Sequence, residues 1–220
     1  MPGGHHSRRA RGGVVSRPGK TRRWLREHRS DAFVKRAAQE GYRSRAAYKL
    51  AEIDERDGIF APGQIVVDLG ASPGGWSQLA AERTRPGGRV IAMDVLGMEP
   101  LPGVEFLQGD FREEETLAAL EALLEGRAVD LVLSDMAPNM SGVRASDQAR
   151  CMALAELALD FAIGHLAPGG TLVVKVFQGS DYPAFLQAMK RACRETRVRK
   201  PRASRERSAE HYLLGRHFAI

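Results

Sequence analysis

Gln64-Ile65-Val66-Val67-Asp68-Leu69-Gly70-Ala71-Ser72-Pro73-Gly74-Gly75-Trp76-Ser77 is the stretch on which the fold turns. An apolar run of strand length passes through a glycine-rich bend into a segment of helical composition. Glycines at such a junction let the backbone come close to a ligand at the carboxyl edge of a sheet. Their spacing is G-x-x-x-G-G and not the G-x-G-x-x-G of a dinucleotide fingerprint, which argues against a cradled pyrophosphate and a nicotinamide cofactor.

Working outward, strand-length apolar runs alternate with helical segments, the pattern of a parallel α/β sheet. The strands read as Gln64–Leu69, Arg89–Val95, Val104–Gly109, Val129–Ser134 and Thr171–Phe177, with two more candidates near Thr196–Pro201 and His211–Phe218. Helices read near Trp76–Thr84, Glu113–Leu124, Asp147–Leu166 and Pro183–Arg194. Pro86-Gly87-Gly88 and Pro168-Gly169-Gly170 read as sharp turns feeding strands. Upstream, Trp24–Gln39 reads as a basic helix, and Ser44 is placed to cap a second helix that Gly58 ends. The expected architecture is a doubly wound, mostly parallel seven-stranded sheet of Rossmann-like kind with a basic N-terminal extension. Residues 1–23, glycine and arginine with almost nothing to bury, read as a disordered tail. Residues 24–220 read as one domain.

At 220 residues with 43% apolar side chains, the chain can bury a core without staples. Two cysteines, Cys151 and Cys193, exclude a disulfide framework and a four-cysteine zinc site. No apolar run reaches the roughly 18 residues of a membrane span, and the N-terminus lacks the apolar segment of a secretory signal. The net charge of +6 divides unevenly: residues 1–50 carry 14 Lys/Arg against 3 Asp/Glu, residues 51–188 carry 9 against 21, and residues 189–220 carry 10 against 3. An acidic body flanked by basic ends suits a polyanionic partner. The expected docking cations are Arg22, Arg23, Arg26, Lys35, Arg36, Arg43 and Arg45 at one end. At the other they are Lys190, Arg191, Arg194, Arg197, Arg199, Lys200 and Arg202. Few aromatics are placed to stack bases, which favours a folded RNA or ribonucleoprotein surface.

Carboxylates follow the glycine bend at the expected strand ends. Asp94 ends the second strand, 20 residues after Gly74, where a ribose diol can be held. Asp110 ends the third and can accept from an adenine amino group. The same residues also fit a tight strand–helix turn, an ordinary core tryptophan at Trp76 and caps on later segments. Two charges fit a core less well. Asp135 closes Leu131-Val132-Leu133-Ser134, and Lys175 stands inside Leu172-Val173-Val174-Lys175-Val176-Phe177; each is costly in such a run unless paired.

Ser134-Asp135-Met136-Ala137-Pro138-Asn139-Met140-Ser141-Gly142, the glycine stretch from Asp68 to Trp76, and Val174-Lys175-Val176-Phe177-Gln178-Gly179 together resemble the FtsJ/RrmJ family. These are S-adenosylmethionine-dependent ribose 2′-O-methyltransferases, and the likeness, over about residues 30–220, is strongest to the bacterial large-subunit rRNA members. The one departure is Ser72, where alanine is commoner. The resemblance implies a catalytic set of Lys49, Asp135, Lys175 and Glu210, and cofactor contacts at Gly74, Trp76, Asp94, Asp110 and Asp135. It further implies methylation of a uridine ribose in 23S-type rRNA on the large ribosomal subunit, by a monomer without membrane association. Bacterial cytoplasm is the expected location, with a mitochondrial matrix as the alternative because the Arg-rich leader also resembles a transit peptide. The residues alone leave room for a non-catalytic RNA-binding module. Lys49 beside an apolar helical stripe and Glu210 before a strand are ordinary surface placements in the sequence itself.

Overall fold

The structure, a computed structural model, describes residues 31–204 and 208–218. The expected tail, and the part of the Trp24–Gln39 helix before Asp31, lie outside the described residues. What is described of that helix is α1, Ala32–Glu40, where the Asp31 carboxylate accepts from the Phe33 amide as an N-cap and Gly41, at φ +78°, ends it. Helix α2 is Ala46–Asp57, closed by Gly58 in the left-handed region. Ser44 does not cap it: its hydroxyl has no hydrogen-bond partner, and it is the Ser44 carbonyl that accepts, from the Ala47 amide.

The remaining elements follow in chain order. They are β1 (Ile65–Leu69), α3 (Gly75–Arg83), β2 (Arg89–Asp94), β3 (Val104–Gln108), α4 (Glu114–Leu124), β4 (Val129–Ser134) and α5 (Arg144–His165). After these come β5 (Leu166–Phe177), α6 (Tyr182–Ala192), β6 (Cys193–Arg199) and β7 (Glu210–Phe218). Seven strands form one sheet in the order β3-β2-β1-β4-β5-β7-β6. All lie parallel except β7, which runs antiparallel to both of its neighbours.

Among the boundaries that differ from the sequence reading, two have evident local reasons. β5 starts at Leu166 and not Thr171, because Leu166 already pairs with Val129; Pro168-Gly169-Gly170 is accommodated by a register shift between Val129 and Leu131. α6 ends at Ala192 and its C-cap Cys193 is already extended, so β6 begins three residues early and pairs Cys193 with Phe218.

Side chains on successive strand residues alternate between the two faces of the sheet. Val67, Leu69, Ile91, Val132, Leu172, Val174 and Leu213 pack on one face with α4, α5 and α6. Val66, Leu131, Leu133, Val173, Tyr212 and Leu214 pack on the other, against Leu50 and Ile53 of α2 and Trp76 and Leu79 of α3. This second face carries the polar cluster described below.

The antiparallel pair is tied to α2 by one buried carboxylate. Asp57, at the end of α2, accepts from Arg197 at 2.7 Å and from Arg199 at 2.6 and 2.7 Å, and its carbonyl accepts from Arg216 at 2.8 Å. Burial alone would raise the Asp57 pKa, but the bonds and charges of Arg199 and Arg197 outweigh it and hold it below the usual carboxylate range. Replacing Asp57 by alanine removes an acceptor shared by two arginines, of which Arg197 keeps Glu195, and should cost about 2–3 kcal/mol in urea unfolding. Since its folded pKa is depressed, the Asp57 contribution is full above the unfolded carboxylate range and disappears as pH falls below it. The difference between wild type and Asp57→Ala should therefore shrink on acidification.

Candidate active site

Parity assembles the site. Leu131, Leu133 and Asp135 point the same way along β4 and its continuation, as do Val173 and Lys175 on β5 and Glu210, Tyr212 and Leu214 on β7. Lys175 and Tyr212 are register partners, and Glu210 lies opposite Phe177 at the carboxyl edge. Lys49 reaches this face from α2, three residues after Ala46 and four before Ile53, along the edge of the stripe that packs on the sheet.

Lys49, Asp135, Lys175 and Glu210 are joined through Tyr212 into one continuous hydrogen-bonded chain. Lys175 Nζ lies 3.1 Å from Asp135 Oδ1 and also donates to the Asp135 carbonyl. The Tyr212 hydroxyl donates to the same Oδ1 at 2.9 Å and accepts from Lys49 Nζ at 3.2 Å. Lys49 Nζ lies 2.6 Å from Glu210 Oε1, which also accepts from Ser204 Oγ at 2.9 Å. Lys175 is only 8% exposed and Tyr212 fully buried, so each charge has its partner where water cannot supply one. Burial raises the Asp135 pKa, yet the charges of Lys175 and Lys49, with the Tyr212 hydroxyl, hold it below the ordinary range. Burial and the neighbouring charges of Asp135 and Glu210 drive Tyr212 well above the ordinary phenol value. Tyr212 is therefore a neutral bridge that keeps its proton between two ion pairs. Tyr212 and Ser204 carry no chemical signal in the sequence; the available clue for Tyr212 is that it stands two residues beyond Glu210 and shares its face.

Asp135 also lines a cavity of about 500 Å³ at the carboxyl edges of β1, β2 and β4. Asp94 and Asp110 line it too, with Gly70, Ser72 and the apolar Leu96, Phe111 and Met136. Asp94 accepts from the amides of Ser72 at 2.9 Å and Leu96 at 2.8 Å, so it binds the glycine bend to the β2–β3 connection while keeping lone pairs free. Asp110 pairs with Arg112, whose hydrogen bonds hold it below the usual range.

Gly74 and Trp76 are not among the residues that line this cavity. The Trp76 side chain is core: its indole donates to the Ala46 carbonyl at 2.8 Å and its ring packs on Tyr212 with centroids 5.5 Å apart. That leaves the backbone, at the first turn of α3, for any ligand contact by Trp76. The glycines of the bend are required by protein packing first. A Cβ on Gly70 would meet Met136 backbone at 2.8 Å, and one on Gly75 would meet Ser44 Oγ at 2.3 Å. Gly70 (φ +80°) and Gly74 (φ +106°) also hold left-handed conformations.

Residues 42–218 match the model of FtsJ-like methyltransferases. The chain belongs to this family. It is therefore an enzyme of methyl transfer, and its chemistry calls for a methyl donor. It is 61% identical over 192 residues to the ribosomal RNA large subunit methyltransferase E of Azoarcus sp., covering 87% of this chain and 94% of that protein. With the protein of the same name from Chromobacterium violaceum it shares 55% over 202 residues, 92% of this chain and 98% of that one. Among solved structures, a ribosomal RNA methyltransferase from Plasmodium falciparum superposes with a TM-score of 0.72 at 30% identity, over 80% of this chain and 98% of that one. No helix among the described residues of this family member is long and apolar enough to cross a membrane.

Below the cavity lies Asp68, fully buried on β1. One oxygen accepts from Ser77 Oγ at 2.6 Å and the other has no partner. Burial, opposed by the Ser77 hydroxyl and reinforced by the charges of Asp135 and Asp94, raises its pKa to about 7. A raised carboxylate favours the folded state while protonated, and that contribution is lost as pH rises from the unfolded value near 4 to about 7. The thermal midpoint should fall across this window in the wild-type enzyme, and Asp68→Asn, which cannot ionise, should remove most of the fall.

Proposed function

We propose that this methyltransferase transfers the methyl group of S-adenosylmethionine to a ribose 2′-hydroxyl of large-subunit rRNA, at a uridine, on the assembled ribosomal subunit. The observation that carries this reading is that Asp135 is shared: it lines the donor cavity and anchors the lysine–aspartate–tyrosine–lysine–glutamate chain. The cavity chemistry fits such a donor. Asp94 offers acceptors for a ribose diol at the end of β2, and Asp110 an acceptor for an adenine amino group. The apolar side chains between them suit a purine face, and the 500 Å³ volume is in the range of small-molecule sites. Gly74 and Trp76 do not line the cavity, so of these two only the backbone at the start of α3 is left for a donor contact. The names of the relatives point to rRNA as substrate.

When bound, the donor supplies an electrophilic methyl group on a sulfonium centre. The protein must hold a ribose hydroxyl in line with it and take up the proton that the oxygen loses. Lys175 is assigned to orient the hydroxyl at Nζ or, in its neutral form only, to accept its proton: two of its three positions are turned to the Asp135 carboxylate and carbonyl, leaving one for the hydroxyl. Asp135 fixes where Nζ stands. Glu210 and Tyr212 fix Lys49, which is left to contact the ribose or its phosphate. No metal takes part in this scheme.

Docking cations can be sorted by position. Arg197 and Arg199 are spent on Asp57, and Arg43 and Arg45 are engaged within the protein. Lys190, Arg191 and Arg194 stand near Cys193, which pairs with Phe218 at the edge of the sheet remote from Glu210. Both findings narrow the sets read from sequence. Arg22, Arg23 and Arg26 lie outside the described residues; among the described ones Lys35, Arg36, Lys200 and Arg202 are exposed, Arg36 and Arg202 beside Ala203, with Arg36 paired to Glu40 and Lys200 donating to the Ser208 carbonyl. They are placed to follow phosphates beside Lys49 without reading bases. A single catalytic domain acting as a monomer in the bacterial cytoplasm completes the reading.

The test is methyl transfer from radiolabelled S-adenosylmethionine to large ribosomal subunits lacking the modification, with the product mapped to a ribose. Lys175→Ala should nearly abolish turnover with donor affinity close to wild type, whereas Asp135→Ala should harm both. Transfer to a base, or a Lys175→Ala variant keeping most of its rate, would overturn the assignment. Neutralising Lys35, Arg36, Lys200 and Arg202 together should weaken RNA binding and flatten its salt dependence by several counterions. Neutralising Lys190, Arg191 and Arg194 should change neither.

A further inference from the structure

Gly74 marks a junction of three segments. A Cβ there would stand 2.8 Å from Met98 Sδ and Leu101 Cδ1 and 3.2 Å from Arg43 Cδ. The space beside this glycine is thus filled by the β2–β3 connection, residues 95–103, and by Arg43 from the bend between α1 and α2. The Arg43 guanidinium donates to three backbone carbonyls: Glu99, Pro100 at 2.7 Å and Pro73 at 3.4 Å. Its own amide donates to Gln78 Oε1 at 3.2 Å, and the Gln78 amide group donates back to the Gly41 carbonyl at 3.0 Å.

The β2–β3 connection has little else to hold it. Val95 and Leu96, which line the donor cavity, are 55% and 65% exposed, so this wall has no core of its own. Apart from Arg43, side-chain tethers on the connection are the Asp94 carboxylate to the Leu96 amide, the Ser72 hydroxyl to the Gly97 carbonyl at 3.2 Å, and the Gln108 amide to the Val95 carbonyl at 3.2 Å. All three act on residues 95–97. Among the described residues, Arg43 is the side chain that hydrogen-bonds Glu99 and Pro100, and it does so while also bonding Pro73 of the glycine bend.

We propose that Arg43 is a positioning residue for the donor pocket and not a phosphate contact: it clasps the 97–101 segment to the glycine bend and so sets the wall that carries Val95 and Leu96. An arginine suits this because its planar fork spans two successive carbonyls at once, where an ammonium is a single point of charge. The proposal rests on the S-adenosylmethionine reading above for its ligand, but the clasp itself can be measured without it.

The experiment uses the full chain with Arg43→Ala and Arg43→Lys. S-adenosylmethionine affinity is measured by calorimetry, donor KM and kcat with ribosomal subunits, and RNA affinity across salt concentrations. If the wall is in place only about a tenth of the time without the clasp, apparent donor affinity falls about tenfold. Arg43→Ala should therefore raise donor Kd and KM about tenfold, with kcat at saturating donor within about twofold of wild type. Arg43→Lys should lie between the two, and the salt slope of RNA binding should not change. Donor affinity within twofold of wild type in both variants, or a shallower salt slope with donor affinity intact, would overturn the proposal. Should Arg43→Ala not fold, Arg43→Lys alone decides by the same comparison. Hydrogen exchange of residues 97–101 in the free protein separates the two readings. Faster exchange in the variant supports the clasp even if the wild-type protein fails to bind S-adenosylmethionine, a failure that would end the donor reading alone. Unchanged exchange ends the clasp whatever the donor does.

Discussion

A lysine in the middle of a buried strand obliges the rest of the site to form around it. Lys175 stands between Val174 and Val176 on β5, and a lone ammonium there would lose its hydration without compensation. Asp135 supplies the compensation from β4, the parallel neighbour, because the two strands end together at the carboxyl edge of the sheet. That carboxylate is itself half-buried and takes a second donor from Tyr212 on β7, and the tyrosine in turn takes Lys49 and, through it, Glu210. Each member is satisfied only because the next is present. A network of this kind fixes geometry well, since removing one member strands another in a medium that cannot solvate it.

The glycine bend joins three strands of that argument. Gly70 lets Met136, and so the residue after Asp135, press against the end of β1. Gly75 lets the Ser44 side chain approach α3, and Gly74 admits Arg43 with the β2–β3 connection. The cavity lined by Asp94, Asp110 and Asp135 is then bounded by segments that pack against each other through missing side chains. Close ligand approach and close protein packing draw on the same property of glycine, and here the second is visible at every one of the three positions.

The basic surface is smaller than its charge count. Arg43 holds backbone carbonyls, and Arg45 forms an ion pair with Asp31. Arg197 and Arg199 neutralise Asp57, a buried anion that joins α2 to the antiparallel pair. These arginines contribute to the fold, whereas exposed cations near Ala203 contribute to the field outside. Net charge by segment does not distinguish them, because the distinction depends on which carboxylates and carbonyls the fold carries to each guanidinium.

The alternation of apolar runs and helical segments was enough to place the first five of the six parallel strands, since a period of two against one of 3.6 is a local property of the chain. Asp135 and Lys175 stood out for the same local reason, as charges inside runs that otherwise have no place for them. Lys49, Glu210 and Tyr212 did not, because a lysine at a stripe edge, a carboxylate at a strand start and a tyrosine in a strand are each unremarkable until their neighbours are known. Only the tertiary structure decided that β7 would run antiparallel between β5 and β6, which sets Tyr212 opposite Lys175 and brings Glu210 to Lys49 across 161 residues of chain. The physical reason is range: periodicity and composition act over a few residues, whereas register between strands and the partner of a buried charge are settled by contacts that span the whole sheet.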